Sequence, residues 1–170
     1  MAAGDAKIEY GSSAELTITT ASLAESSDYT AGRESTRVDN TTNKYLDEIL
    51  SGFITQTGTA TAGEQIRIYL YGSLNDTPDY PDTITGTDSA VTLAAESRDA
   101  ALKLCKVITM NATSGEVYYF SGISVASYFG GTLPKYWGIW ITHAGDVALS
   151  GTEAECKFYH TPVYMTSAQA

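Results

Sequence analysis

Residues 116–142 read EVYYFSGISVASYFGGTLPKYWGIWIT. Two runs rich in aromatic and β-branched residues, 117–120 and 136–142, flank a Gly-Gly-Thr-Leu-Pro break. Such residues suit a pleated, half-buried surface, and Gly and Pro punctuate strands. In the second run Trp137, Ile139 and Ile141 alternate with Tyr136, Gly138 and Trp140, so the two sets are predicted to face opposite ways.

The same texture extends outward. Downstream, residues 155–165 read as the last strand, with Pro162 expected near its end or on a sheet edge. Upstream, 101–110 alternates Leu102, Leu104, Lys106 and Ile108 against Lys103, Cys105, Val107 and Thr109. The clearest strand is 65–71, with Ile66, Ile68 and Leu70 on one face. Residues 45–56 match a helical stripe in part, but Gly52 and the β-branched end favour a strand. Residues 15–20 and 90–93 are short strands, 72–88 is a turn-rich excursion holding Pro78 and Pro81, and 22–43 is a polar loop.

About eight strands with no convincing long helix imply an all-β sandwich or barrel. A jelly-roll-like two-sheet antiparallel sandwich is the first expectation, and an immunoglobulin-like sandwich the second. Residues 1–14 are small and polar and read as an extended N-terminal arm; 15–170 then form a single β-sandwich domain. The arm is expected to contact another chain rather than its own domain. The predicted core comprises Ile66, Ile68, Leu70, Leu104, Ile139 and Ile141.

Charged residues make up only 18% of the chain, against ~25% in an average globular domain. The polar surface is therefore built from hydroxyls, Asn and Gly. The formal net charge is −10, which repels nucleic-acid phosphate and anionic membranes. A basic protein surface is the better partner. No secretory signal and no run near the length of a spanning helix is visible, so the expectation is a soluble protein made in a cytoplasm.

Catalytic groupings are sparse. His143 and His160 are the only histidines, and no nucleophile elbow accompanies them, so both read as structural. Cys105 and Cys156 each lie in a strand-like run, without metal spacing, and read as buried free thiols; a disulfide requires the two strands to be neighbours. The loop Asn75-Asp76-Thr77-Pro78-Asp79-Tyr80-Pro81-Asp82, with Asp88 beyond, offers oxygens for calcium, though Asp and Asn are also ordinary turn-formers. Aromatics at 118, 119, 128, 129, 136, 137 and 140 suit a core and a protein interface, or a sugar-stacking platform. Overall the residues point to no enzyme, no cofactor and no metal.

Several segments resemble small virion proteins of tailed bacteriophages. They are Arg33-Glu34-Ser35-Thr36, Val38-Asp39-Asn40, Tyr45-Leu46-Asp47, Ser51-Gly52, and Gly63 leading into 66–72. The run 81–88, Tyr118-Tyr119-Phe120, Ser124-Val125-Ala126, Pro134-Lys135-Tyr136-Trp137-Gly138 and 159–164 complete the set, which spans roughly 33–165. The resemblance implies a non-enzymatic structural protein of the virion, made in the host bacterial cytoplasm. Jelly-roll proteins of this size decorate and cement capsids, often as trimers. The implied partners are the major capsid protein or other virion proteins, with a homotrimer as the self-association state. The alternative is a neck- or tail-associated module or host-glycan-binding adhesin. Arg33, Arg37, Asp39, Tyr128, Phe129 and Tyr136 are the candidate partner contacts.

Overall fold

The alternating stretches fold as strands whose pairing follows one rule: each segment pairs with the segment equally far from the other end of the chain. The computed structural model describes residues 6–167. In chain order these hold β1 (Ala6–Tyr10), β2 (Ala14–Glu15), β3 (Ala31–Glu34), β4 (Val38–Asp39), β5 (Asp47–Thr55), β6 (Gln65–Ser73) and β7 (Ser89–Thr92). There follow a short helix α1 (Ala95–Ala101), β8 (Lys103–Thr109), β9 (Val117–Ser124), β10 (Tyr136–His143) and β11 (Lys157–Ser167).

β1 and β2 pair with β11, β3 and β4 with β10, β5 with β9, and β6 with β8, all antiparallel. The nested pairs alternate between two sheets. The front sheet has the order β1-β11-β5-β9, with β2 also on β11; the back sheet has the order β7-β3-β10-β6-β8, with β4 also on β10. A long antiparallel pair wound up in this way, its four layers alternating between sheets, is a jelly roll. The nesting distinguishes it from the immunoglobulin-like alternative.

Between the sheets lie Leu50, Ile54, Phe120 and Phe158 from the front, and Ile66, Ile68, Leu70, Trp137, Ile139 and Ile141 from the back. Gly138 sits where a side chain would collide with the Tyr71 ring, whose hydroxyl donates to the Ser35 carbonyl at 2.6 Å. A second cluster covers the outside of the back sheet. Tyr69, Tyr71 and Trp140 pack there under Ile84, Val91, Leu93 and Leu102 from the 74–102 excursion. Three polar anchors hold that cover. Arg98 donates to the carbonyls of Asp28 and Tyr29. Arg33 pairs with Asp88, and the buried Glu34 carboxylate accepts from Thr85, Gly86 and Ser89.

Four expectations are corrected. Leu104 is 44% exposed. The β6–β8 register shifts between Ile68 and Tyr69, leaving Cys105 as the extra, buried residue and placing Leu104 opposite the outward Tyr69. Pro162 lies inside a central strand, not at an end or edge. Its carbonyl accepts from the Gly11 N–H, and its missing donor falls where β1 and β2 are interrupted. Residues 6–10 and 14, read as part of an arm seeking another chain, form the first strand of the roll on β11, and of the strand read at 15–20 only Glu15 joins them; residues 1–5 of that arm lie outside the described residues. Finally, 95–101 forms a helix that the strand pattern did not anticipate.

Candidate interaction surface

At one end of the roll three connections come together: 40–46 before β5, 74–80 after β6, and 125–135 between β9 and β10. Backbone pairing positions the functional side chains. Asp39 on β4 lies opposite Tyr136 on β10. Arg37 just before β4 places its guanidinium 5.3 Å from the Tyr136 ring centroid, within the range of a cation–π contact. The Tyr136 hydroxyl donates to the Asp76 carbonyl at 3.3 Å, and Lys135 beside it pairs with the Asp76 carboxylate at 2.6 Å. That Lys135 hydrogen bond and charge hold the Asp76 carboxyl below its ordinary value.

Local turn chemistry stiffens the corner. Asp39 accepts from both the hydroxyl and the N–H of Thr41, and these bonds lower its pKa. Asn40 closes the loop by accepting from the Tyr45 N–H and donating to the Tyr45 carbonyl. Asp47 accepts from the Ser124 hydroxyl and the Ala126 N–H, joining the start of β5 to the 125–135 connection. Gly130 and Gly131 both take positive φ, 75° and 87°, which turns the chain back toward β10.

Two grooves flank this corner and share the exposed Leu74. One, about 330 Å³, is walled by Phe129, Pro134, Thr132 and Asp79. The other, about 480 Å³, is walled by Tyr45, Leu133, Lys135 and Asp76. The surface therefore offers the exposed Leu74 between the grooves, with Leu46 also exposed on the 40–46 connection, aromatic walls and a mixed set of charges at fixed positions. It suits docking of a folded protein surface.

Of the six candidate contacts, Arg37, Asp39 and Tyr136 meet here and Phe129 lines the adjacent groove. The other two stand elsewhere. Arg33 is on β3 opposite Ile141, about 16 Å further along β10 at ~3.3 Å per residue, where Asp88 engages it. Tyr128 donates to the Cys105 carbonyl on β8. Sequence reasoning missed Leu74, Lys135 and Asp76 as members of the surface. Lys135 had a signal: it sits between Pro134, which fixes the turn, and Tyr136, which faces outward.

The remaining chemical candidates are engaged within the fold. His143 is buried, and its Nε2 contacts the Leu23 carbonyl at 2.9 Å. Burial holds its pKa below 6.5. His160 Nδ1 contacts the buried Glu48 carboxylate at 2.6 Å, edge-on to Trp137. Cys105 on β8 and Cys156 just before β11 are free and buried, and burial pushes the Cys105 thiol up to about 12. The acidic loop is dispersed: Asp76 serves Lys135, Asp82 accepts from the Ala94 N–H, and Asp88 serves Thr19 and Arg33. No group of three metal-ligating side chains forms among the described residues, and among them no helix is long and apolar enough to cross a membrane.

No protein-family model matches the chain, and no curated protein matches it.

Proposed function

We propose that this chain is a non-enzymatic structural protein of a tailed-phage virion, which decorates and cements the capsid surface as a homotrimer. The observation that carries the reading is a convergence in space. Four of the virion-like phrases, 38–40, 45–47, 124–126 and 134–138, lie far apart in sequence. They interlock at one corner through the Asp39–Tyr136 register, the Asn40 N–H to Lys135 carbonyl bond, and the contacts of Asp47 with Ser124 and Ala126. A corner built this way presents Arg37, Tyr136, Lys135 and the Leu74 grooves as a pre-formed docking surface, with little ordering cost on binding. Its partner is the capsid shell, the major capsid protein first among the candidates.

Many weak copies reinforce one another on a repeating shell, and a ligand that binds only the assembled shell stabilises it by mass action. The test compares particles with and without this protein under heat. Cement function raises the rupture temperature. The Arg37→Ala and Leu74→Asp variants then bind shells at least ~10-fold more weakly, a loss of about 1.4 kcal/mol. Because the chain is acidic, part of the attraction is to basic shell residues, so attachment weakens as salt rises. Equal rupture behaviour, with the chain located on a tail tip, overturns the reading in favour of an adhesin.

A further inference from the structure

The two outer faces of the roll are treated differently. The back sheet is covered by the chain's own 74–102 excursion, which buries Tyr69, Tyr71 and Trp140. The outer face of the front sheet carries no such apolar cover among the described residues, and the 150–155 segment only flanks it, walling a groove with Phe53 and Tyr119. Eight large apolar side chains are exposed among the described residues, and four of them belong to that face: Ile8 at 65%, Tyr10 at 69%, Tyr119 at 76% and Met165 at 57%. The register fixes their direction. Leu50 and Phe158 point inward, so their neighbours on the same strands point out: Met165 is exposed, Ile49, Phe53 and Tyr159 are half-buried, and Val163 is buried among its neighbours. Ile8 lies opposite Met165, Tyr10 opposite Val163, and Tyr119 opposite Phe53.

We propose that this outer face of the front sheet is where a second copy of this chain docks. The inference rests on the self-association part of the reading above and not on the capsid. Charge selects the occupant. A chain of net charge −10 repels its own copies over most of its surface. On this face the charges are few: Lys157 is neutralised by Glu15 at 2.5 Å, and Asp47 is tied to Ser124 and Ala126. Two acidic copies therefore approach here at the least electrostatic cost. The size also fits. The strands of this face, 8 to 11 residues long when β1 and β2 are taken as one edge, at ~3.3 Å per residue and ~4.8 Å spacing cover roughly 600 Å². A standard interface buries ~800 Å² per partner. Tyr, Met and Ile side chains beside hydroxyls are the composition of such an interface.

The salt response separates this contact from the proposed capsid contact. Screening relieves the repulsion between like-charged copies, so self-association strengthens with salt while shell attachment weakens.

The experiment is sedimentation velocity of the full chain across a concentration series, at about 50 mM and about 500 mM NaCl. Tyr119→Asp and Met165→Asp probe the two ends of the face, with Tyr119→Ser as a milder third variant. Val107→Asp makes the same apolar-to-acid change on β8, away from the face. Each variant is checked for a cooperative melt. The expected result is a wild-type oligomer favoured by salt, at least tenfold weaker association in both Asp variants, and wild-type behaviour in Val107→Asp. A wild-type oligomer that persists unchanged in Tyr119→Asp, Tyr119→Ser and Met165→Asp overturns this face while leaving the homotrimer standing. A wild-type monomer at high salt and about 100 µM overturns both. Monomers that still raise the rupture temperature of shells overturn self-association and leave the cement role intact.

Discussion

Replacing Glu34 tests whether the cover over the back sheet is held by one buried carboxylate. Glu34 is fully buried on β3. One oxygen, Oε2, accepts from the Thr85 N–H at 3.0 Å and the Gly86 N–H at 2.8 Å. The other, Oε1, accepts from the Thr85 hydroxyl at 2.9 Å and the Ser89 hydroxyl at 2.8 Å. Glu34→Ala strips the acceptor from all four donors. The hydroxyls can turn to water, but the buried Gly86 amide cannot. An orphaned buried donor costs ~1–3 kcal/mol, and the broken charged network adds to it, so the loss should be about 3–5 kcal/mol. That is a large share of the ~5–15 kcal/mol typical of a domain. Glu34→Gln should cost much less, about 1 kcal/mol. Its carbonyl can keep the two N–H donors, and its NH₂ can face the hydroxyls, which reverse and accept. Urea denaturation with unchanged m measures both, and hydrogen exchange at Thr85 and Gly86 localises the effect. A Glu34→Ala loss below about 1 kcal/mol, or equal losses for Ala and Gln, would refute the assignment.

Core truncation should separate the two predicted positions on β10 and β8. Ile139→Ala should cost ~2–5 kcal/mol, and Leu104→Ala less than about 1 kcal/mol, in the same denaturation assay. Acid should destabilise in two stages. Burial holds the His143 pKa below 6.5, so its contribution is present above about pH 6.5 and is lost as pH falls from there. His143→Gln should flatten the melting temperature as pH falls below about 6.5. For Asp88, burial is the largest single influence and raises the pKa, but the bonds from Arg33 and Thr19 together outweigh it and leave it lowered. Its contribution is therefore present above about pH 4 and lost below, and Asp88→Asn should lower the melting temperature at neutral pH and flatten its fall below about pH 4. Burial raises the pKa of both thiols, so iodoacetamide should label Cys105 and Cys156 only in denaturant; labelling of the native chain at the free-thiol rate would contradict their burial.

The strand content was legible because aromatic and β-branched runs alternate with period two over most of the chain. Trp137, Ile139 and Ile141 fell on the inner face as read, and so did Ile66, Ile68 and Leu70. Leu104 failed for a definite reason. Alternation predicts a face only while the register is unbroken, and one extra residue flips every side chain beyond it. Cys105 carries no mark of being that residue. The N-terminal segment failed differently. Lys7-Ile8-Glu9-Tyr10 alternates weakly and buries little, so β1 draws on its ladder with β11 and not on an apolar face. Propensity cannot register a partner strand 150 residues away.

The site was legible in residue type more than in place. Aromatics and scattered charges in 33–39 and 128–136 marked an interface-forming composition, and Arg37, Asp39 and Tyr136 do converge. Leu74 and Asp76 were invisible as partners of that corner because they arrive from the end of β6, the strand that pairs with β10 on the side away from β4. Only the winding of the roll brings the three connections to one end. The same winding explains why the two outer faces differ. The excursion between β6 and β8, the innermost pair, is the longest connection, and it covers the back because both its ends leave from the back. The front sheet is built from the outermost strands, β1 and β11, and from β5 and β9, whose connections are short. Ile8, Tyr10, Tyr119 and Met165 on its outer face are left exposed.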